Sequence, residues 1–309
     1  MNHSPQHNSP GAVSVPQHNS RTALVLGGGG STGNAWLIGV VAGLLDAGLD
    51  VTSSDVIVGT SAGSTAAIQL IGQSMADLFM ATVAGVPQKP GGLAGPWRRP
   101  QNRPVVSQLE KMDRISASAA DALDMRRRMG AAALDMLARS DGTWQTQWRT
   151  TVASRLPSQH WPDQAILITA VDARTGESAV FDRNSGVDVA DAIAASCASS
   201  LPYQIGDSYY IDGGYRRNEN ADLATGYERV LVLSPFGGRT RHPAEWGMQL
   251  SAQVQELRAS GSTVETIFPD SDSEHMFGAN AMDLSLRPAA AQAGHNQGRA
   301  LAEQLSKFW

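Results

Sequence analysis

The sequence has 309 residues, of which 42% are hydrophobic and 17% are charged, a balance typical of a globular protein. Its 31 glycines and low aromatic content favour an α/β protein with tight turns, and its length suits one large domain or two modest ones. The net charge of −5 argues against a dedicated nucleic-acid-binding protein, so no nucleic-acid partner is expected.

The chain contains one cysteine, Cys197, which excludes an intrachain disulfide and favours a reducing, cytoplasmic compartment. The longest apolar run, from Ala35 to Leu45, is shorter than the roughly 20 residues needed to span a bilayer. Residues 1–20 are polar, lack the apolar core of a cleavable signal, and repeat the pentapeptide "PQHNS". They are expected to form a disordered tail, and neither a metal nor a cofactor is expected.

The first predicted elements alternate between strands and helices. The segment "TALVLG" is a short buried strand, and a helix follows the glycines from about Asn34 to Ala47. The segment "SSDVIVGT" is a second strand that stops at Gly59, and "SAGSTAAIQLIG" is a second helix. This order of strand, glycine turn and helix is typical of a parallel sheet.

A proline-rich segment from Gly85 to Pro104 then interrupts the pattern, and the chain from about Val105 to Leu156 is predicted to be mostly helical. These segments predict a helical insertion over about residues 86–160. Strands return in "AILITAVDA", "ESAVFD", "SYYID" and "RVLVLSP", followed by a helix, the strand "TVETIFP" and a C-terminal helix. The sequence therefore predicts one α/β domain over residues 21–309 rather than two independent domains.

The insertion differs from the rest of the chain in charge. Residues 98–155 carry eleven basic and six acidic side chains, and four tryptophans lie in this segment or at its border: Trp97, Trp144, Trp148 and Trp161. Arginines beside tryptophans suit peripheral contact with an anionic membrane surface. A solvated helical face with aromatic side chains packed beneath it explains the same pattern and is favoured.

The second glycine turn, Gly59–Gly63, reads Gly-Thr-Ser-Ala-Gly and lies where a strand meets a helix. This is the pattern of a nucleophile elbow, in which Ser61 occupies a strained turn and the glycines let the helix pass close to the strand. The following helix N-terminus favours developing negative charge. The alternative is a tight turn in which Ser61 only caps the helix.

The first glycine loop is open to two interpretations. Gly28, Gly30 and Gly33 match the dinucleotide pattern Gly-x-Gly-x-x-Gly, which would make the chain a non-enzymatic nucleotide-binding module. That pattern also requires an acidic residue at the end of the second strand, where this chain has Gly59-Thr60-Ser61. An oxyanion hole is therefore the favoured interpretation.

Four motifs in order resemble the patatin-like phospholipases. The segment "GGGSTG" resembles the glycine-rich oxyanion loop of that family, and "GTSAG" resembles its nucleophile elbow. The segment "TAVDARTGESAVF" resembles the strand–turn–strand that precedes its catalytic acid, and "DGGYRRN" resembles its Asp-Gly-Gly motif. The resemblance covers most of residues 22–220, and it implies a three-layer α/β sandwich with a mainly parallel central sheet.

The resemblance also implies roles for individual residues. Ser61 would be the nucleophile, Asp212 its partner in a Ser–Asp dyad, and the N–H groups of Gly28, Gly29 and Gly30 the oxyanion hole. The implied function is a serine acyl-ester hydrolase that acts on lipid or phospholipid acyl esters. These assignments agree with the chemistry, because a serine hydroxyl needs a nearby base and a tetrahedral intermediate needs donors at its oxygen.

Two positions depart from the family pattern. Thr32 stands where the family usually has a basic residue, and Asn218-Glu219-Asn220 stands where it often has Asn-x-Pro. Neither change removes a reacting group, but the lost cation leaves the preference for phospholipid head groups open.

An α/β-hydrolase esterase with a Ser-Asp-His triad is the main alternative enzyme. Its histidine would follow serine and aspartate in the chain, so His242, His275 and His295 are the candidates. That fold normally has several strands before its nucleophile elbow, whereas this chain has one or two, which disfavours the triad.

Overall fold

The computed structural model describes residues 21–85, 104–240 and 242–309. The predicted tail, most of the proline-rich segment and Trp97 lie outside the described residues. In chain order the elements are β1 (Thr22–Leu26), α1 (Gly30–Asp46), β2 (Val56–Thr60), α2 (Ala62–Gly72), α3 (Met75–Ala84), α4 (Pro104–Ser118), α5 (Ala122–Leu137), α6 (Trp144–Ala153), β3 (Ile166–Asp172), β4 (Ser178–Phe181), α7 (Val189–Ser196), β5 (Tyr203–Ile205), β6 (Ser208–Asp212), β7 (Arg229–Leu233), α8 (Leu250–Ala259), β8 (Thr263–Ile267) and α9 (Arg287–Leu305).

The strands form one mixed sheet. Five parallel strands lie in the order β3, β2, β1, β7, β8, and β4 pairs antiparallel with β3. Strand β6 also pairs antiparallel with β3, over Ala170–Asp172, and β5 pairs with β6. Strand β4 pairs with one edge of β3 at Ile168–Val171. Strands β2 and β6 therefore both pair with the other edge of β3, at successive positions along it. This arrangement brings the carboxyl ends of β2 and β6 together.

Both faces of the sheet are covered, as the apolar runs of its central strands require. In β1, Leu24 and Leu26 pack into a core with α1, α2, α7 and α9, whereas Ala23 and Val25 pack into a second core with α8. Because side chains alternate along a strand, one strand contributes to both cores. The predicted α/β class, with helices on both faces of a mainly parallel sheet, is confirmed.

Several element boundaries differ from those predicted. Helix α1 begins at Gly30, within the glycine loop, and not at Asn34. Helix α3 was not predicted as an element of its own, and the helix expected from about Ala244 begins only at Leu250 after a short 3-10 turn. Helices α4, α5 and α6 occupy the predicted helical insertion. None of the helices in the described ranges combines the length and apolar character needed to cross a membrane.

Helices α1 and α9 cross in near backbone contact. A Cβ atom at Gly39 would lie 2.0 Å from the carbonyl oxygen of Ala291, and one at Gly43 would lie 2.1 Å from that of His295. The glycines are therefore required by this close approach, since any side chain would push the helices apart. The C-terminal helix is thereby held against the helix that begins in the glycine loop.

Candidate active site

Ser61 lies in a strained turn between β2 and α2. Its φ of 52° and ψ of −112° are unusual for a residue with a side chain, and its N–H donates to Ser196 Oγ at 2.9 Å. A Cβ atom at Gly63 would lie 1.9 Å from the carbonyl oxygen of Leu26, so only glycine fits there. The turn thus has the geometry that the Gly-x-Ser-x-Gly pattern predicts.

Asp212 ends β6 and meets Ser61 at the edge that β2 and β6 share on β3. Thr60, the last residue of β2, pairs with Thr169, and Asp212 pairs with the next residue, Ala170. The Ser61 hydroxyl donates to Asp212 Oδ2 at 2.7 Å, and the Gly214 N–H donates to Asp212 Oδ1 at 2.8 Å. The structure therefore brings the predicted nucleophile and its predicted base within hydrogen-bonding distance.

Burial controls the protonation of Asp212. The carboxyl group is 9% exposed, and desolvation raises its pKa to about 6, although the hydrogen bonds from Gly214 and Ser61 oppose the shift. The group is consequently a stronger base than an ordinary aspartate, while most of it is still ionised at neutral pH.

The glycine loop presents two N–H groups rather than the three predicted. The Gly28 N–H donates to the Asn218 carbonyl oxygen at 3.0 Å, and the Asn218 side-chain amide donates back to the Gly28 carbonyl oxygen at 3.2 Å. Within the described part of the chain, the N–H groups of Gly29 and Gly30 donate to no acceptor. Gly28 therefore holds the loop in place, and the N–H groups of Gly29 and Gly30 remain as the candidate oxyanion donors.

The candidate histidines lie elsewhere. The His242 ring contacts Thr240 and stacks on Trp246, and His275 Nδ1 contacts the Asp272 carbonyl oxygen. His295 pairs with Asp46 at the far end of α1. Of the histidines that the structure describes, none is hydrogen-bonded to Ser61 or Asp212, so the arrangement contains no Ser-Asp-His triad.

Cys197 is half-buried beside the elbow and contacts the Ser64 and Thr65 hydroxyl groups through its sulfur. Desolvation raises the pKa of its thiol to about 11, so the thiol stays protonated and is a poor nucleophile. The side chain packs against the hydrophobic core.

The aromatic side chains of the insertion face inward. Trp144 is buried, and the indole N–H groups of Trp148 and Trp161 donate to the carbonyl oxygens of Ala194 and Val187. These contacts favour the interpretation in which aromatic residues pack beneath a solvated helical face.

The neighbouring arginines of α5 are engaged within the protein. Arg126 and Arg127 donate through Nε to the carbonyl oxygens of Gly176 and Thr175, and Arg128 pairs with Asp124 at 2.8 Å. Arg126 and Arg127 anchor α5 to the turn between β3 and β4, and Arg128 pairs within α5.

Two residues near the site carried no recognisable sequence signal. Ser196, which holds the Ser61 N–H, lies in a run of small residues that reads only as a buried helix end. Arg287 begins α9 and donates to the Ser31 carbonyl oxygen at 2.6 Å, although no predicted motif reaches that helix.

A family model described as "Patatin-like phospholipase" matches residues 24–225, which is more than half of the chain. The match includes Ser61, Asp212 and the whole glycine loop. No curated protein matches the chain.

Three solved structures are similar to the chain. VipD from Legionella pneumophila is similar over 92% of this chain and 67% of its own, with 11% identity and a TM-score of 0.41. Full-length ExoU from the type III secretion system of Pseudomonas aeruginosa, solved with SpcU, is similar over 94% of this chain and 53% of its own, with 18% identity and a TM-score of 0.37. A second structure, of the type III effector protein ExoU, is similar over 91% of this chain and 54% of its own, with 16% identity and a TM-score of 0.34. The chain thus spans about two thirds of VipD and about half of ExoU.

Proposed function

Because this chain belongs to the patatin-like phospholipase family of lipid acyl hydrolases, we propose that it cleaves acyl esters of lipids or phospholipids with Ser61 as nucleophile and Asp212 as base. The observation that carries the proposal is the 2.7 Å hydrogen bond from the Ser61 hydroxyl to the Asp212 carboxylate. The N–H groups of Gly29 and Gly30, which have no acceptor within the described part of the chain, support the same conclusion.

In the first half of the reaction, Asp212 takes the hydroxyl proton as Ser61 Oγ attacks the ester carbonyl carbon. The oxygen of the tetrahedral intermediate becomes negative and accepts hydrogen bonds from Gly29 and Gly30. Each such donor contributes about 2.7–4 kcal/mol in other enzymes. The intermediate then collapses, the alcohol leaves with the proton from Asp212, and the acyl group stays on Ser61.

In the second half, Asp212 takes a proton from a water molecule that attacks the acyl-enzyme. The second tetrahedral intermediate uses the same two donors. Its collapse returns the proton to Ser61 and releases the fatty acid, so that the enzyme ends in its starting state.

Peripheral contact with a membrane is a second part of the proposal, since lipid esters reside in membranes and micelles. The net charge of +5 over residues 98–155 supports attraction to an anionic surface. Arg126 and Arg127 already bind carbonyl oxygens of the protein, so exposed basic residues such as Arg114 and Arg139 are the better candidates for this contact.

A fluorophosphonate probe tests the proposed nucleophile. The probe should label the wild-type protein on Ser61, and Ser61→Ala should abolish both labelling and turnover of a short acyl ester while the fold is retained. Ser306→Ala, which changes an exposed serine after α9, is the matched control and should be labelled as the wild type is. Ester turnover by folded Ser61→Ala, or labelling at another serine, would refute the proposal.

A further inference from the structure

An open cavity of about 230 Å³ lies between α2, α3 and the start of α9. Its polar lining residues are Gln69, Gln73, Thr82 and Arg287, and Leu78 and Ala81 add apolar surface. Arg287 is the only charged residue in the lining described for this cavity. The cavity therefore combines one cation with neutral polar groups and a small apolar wall.

Arg287 has no counter-charge. Its guanidinium group donates to the Ser31 carbonyl oxygen at 2.6 Å, to the Ser31 hydroxyl at 3.2 Å and to Asn34 Oδ1 at 3.1 Å, which are all neutral acceptors. No carboxylate among the described residues lies within 4 Å of it, and residues 1–20, 86–103 and 241 contain no Asp or Glu. A partly buried guanidinium without an acidic partner is unusual, because buried charges in proteins are normally paired.

A second cation strengthens the positive field. Burial lowers the pKa of Arg287 to about 10, and repulsion by the nearby charge of Arg155 makes a smaller contribution in the same direction. Arg155 also has no carboxylate within 4 Å among the described residues, and it lies over the Trp148 ring. Arg287 remains protonated at neutral pH, so the cavity presents an uncompensated positive charge.

This charge lies beside the candidate active site. Ser31 follows Gly30 directly in the chain, and consecutive Cα atoms are only about 3.8 Å apart. Asn34, which accepts from Arg287, donates to the carbonyl oxygen of Ala62, the residue after Ser61. Arg287 is therefore linked through Ser31 to the glycine loop and through Asn34 to the first residue of α2.

We propose that Arg287 binds the phosphate group of a phospholipid substrate in the cavity between α2, α3 and α9. The inference rests on the proposed function, because this phosphate belongs to the lipid whose acyl ester Ser61 would cleave. Guanidinium binds phosphate oxygens well because its donors are planar and paired, and only a few bonds separate the ester from the phosphate in a glycerophospholipid. Thr32 leaves the glycine loop without a cation of its own, and Arg287 supplies one from α9.

Binding measured in the Ser61→Ala background tests this site without turnover. Short-chain phosphatidylcholine below its micelle concentration is compared with diacylglycerol of the same acyl chains, by calorimetry. Ser61→Ala should bind the phospholipid more tightly than the diacylglycerol. Adding Arg287→Gln should weaken phospholipid binding by about tenfold or more and so remove this preference. Arg299→Gln, an equal loss of charge at an exposed position on α9, should keep the preference.

A second variant covers the case in which Arg287→Gln unfolds the glycine loop. Arg287→Lys keeps the cation and should retain part of the preference for phospholipid. If the Arg287 variants weaken binding of both lipids equally, or of neither, then Arg287 only braces the loop and the inference is wrong.

A competition experiment with inorganic phosphate distinguishes a phospholipid head group from a free phosphate ion as the ligand of Arg287. Phosphate alone should compete with the phospholipid in Ser61→Ala, should bind more weakly than the phospholipid, and should lose its effect in the Arg287→Gln variant. Phosphate binding as tight as that of the phospholipid would assign the site to the free ion and would contradict the inference. Failure of the wild-type protein to hydrolyse any short neutral ester would instead refute the proposed function, since the binding comparison does not depend on hydrolysis.

Discussion

In the proposed mechanism, the environment of Asp212 sets the pH range of activity. Its carboxyl group would have to be ionised to accept the Ser61 proton, and burial raises its pKa to about 6. We therefore expect kcat/KM for a neutral short acyl ester to fall below pH 6, by about tenfold per pH unit, with an apparent pKa near 6. A pH–rate profile measured on the folded enzyme checks this expectation. A rate that stays constant down to pH 4.5 would contradict it.

The same burial makes Asp212 unfavourable for stability. The carboxyl pKa is higher in the folded protein than in the unfolded chain, so the free energy of unfolding decreases as pH rises from about 4 to 6 and then stays level. Asp212→Asn removes the buried charge. At pH 8 it should be more stable than the wild type by about 1–3 kcal/mol, although it should be nearly inactive.

Urea unfolding of the two proteins at pH 8 and pH 4.5 measures this difference. The gap in unfolding free energy should shrink at the lower pH, where the wild-type carboxyl group is protonated. A variant that is less stable than the wild type at pH 8 would show that the hydrogen bonds of the carboxylate outweigh its desolvation.

The histidines provide the residue-level test of a dyad against a triad. His242, His275 and His295 each have partners away from Ser61, so replacing any of them by alanine should leave most of the esterase activity. Asp212→Asn, assayed beside them, should lose activity nearly as severely as Ser61→Ala. Loss of hydrolysis in a folded histidine variant would restore the triad.

At the level of single residues, the sequence predicted the contact between Ser61 and Asp212 better than the contacts that support it. Ser61 and Asp212 are recognisable because each sits beside glycines that only a tight turn requires. The hydrogen bond from the Gly28 N–H to the Asn218 carbonyl oxygen was not predictable, since it joins residues 190 positions apart. Arg287 carries no local pattern at all, and its place becomes apparent only when α9 packs against α1.

Among the elements, the pair α1 and α9 connects stability to the site. Gly39→Ala would place a methyl group 2.0 Å from the carbonyl oxygen of Ala291, which forces the helices apart. We expect a loss of about 1–3 kcal/mol or more in unfolding free energy, together with reduced activity, because both helices reach the glycine loop.

Thermal and urea unfolding, with the esterase assay, measure the effect of Gly39→Ala. Ala300→Ser adds one heavy atom on the exposed side of α9 and should cost only about 0.5 kcal/mol through helix propensity, so it is a control for added volume without crowding. A Gly39→Ala protein of unchanged stability would mean that the two helices are farther apart than the structure shows.

The strand order was only partly predictable. The alternation of strands and helices in the first 72 residues indicates parallel strands, and β1 and β2 do pair in parallel. That β6 returns antiparallel and shares one edge of β3 with β2 could not be predicted, because strand pairing depends on packing over the whole domain. This shared edge is what brings Asp212 to Ser61.

For the whole molecule, charge distribution decides how the chain would meet a lipid surface. The net charge is −5, whereas residues 98–155 carry +5, so we expect attraction to an anionic membrane to come from this segment. Binding to anionic vesicles should weaken as salt rises, and Arg114→Glu with Arg139→Glu should weaken it by about 1 kcal/mol per residue or more.

Vesicle sedimentation with anionic and neutral lipids measures this attraction, and the neutral vesicles serve as the control. Equal binding to both kinds of vesicle, or binding to neither, would leave the insertion as a solvated surface. Arg126 and Arg127 are best left unchanged in this experiment, because their loss would also release α5 from the β3–β4 turn.

The contacts of the glycine loop with the C-terminal part of the chain also bear on timing during synthesis. Ser61 and Asp212 both lie in the first 212 residues, but the Thr32 N–H is held by the carbonyl oxygen of Ala281 and Ser31 by Arg287. The ribosome delivers these later residues after the strands that carry Ser61 and Asp212, and those strands can already have folded by then. The glycine loop therefore gains its final shape only after Ala281 and Arg287 have been synthesised.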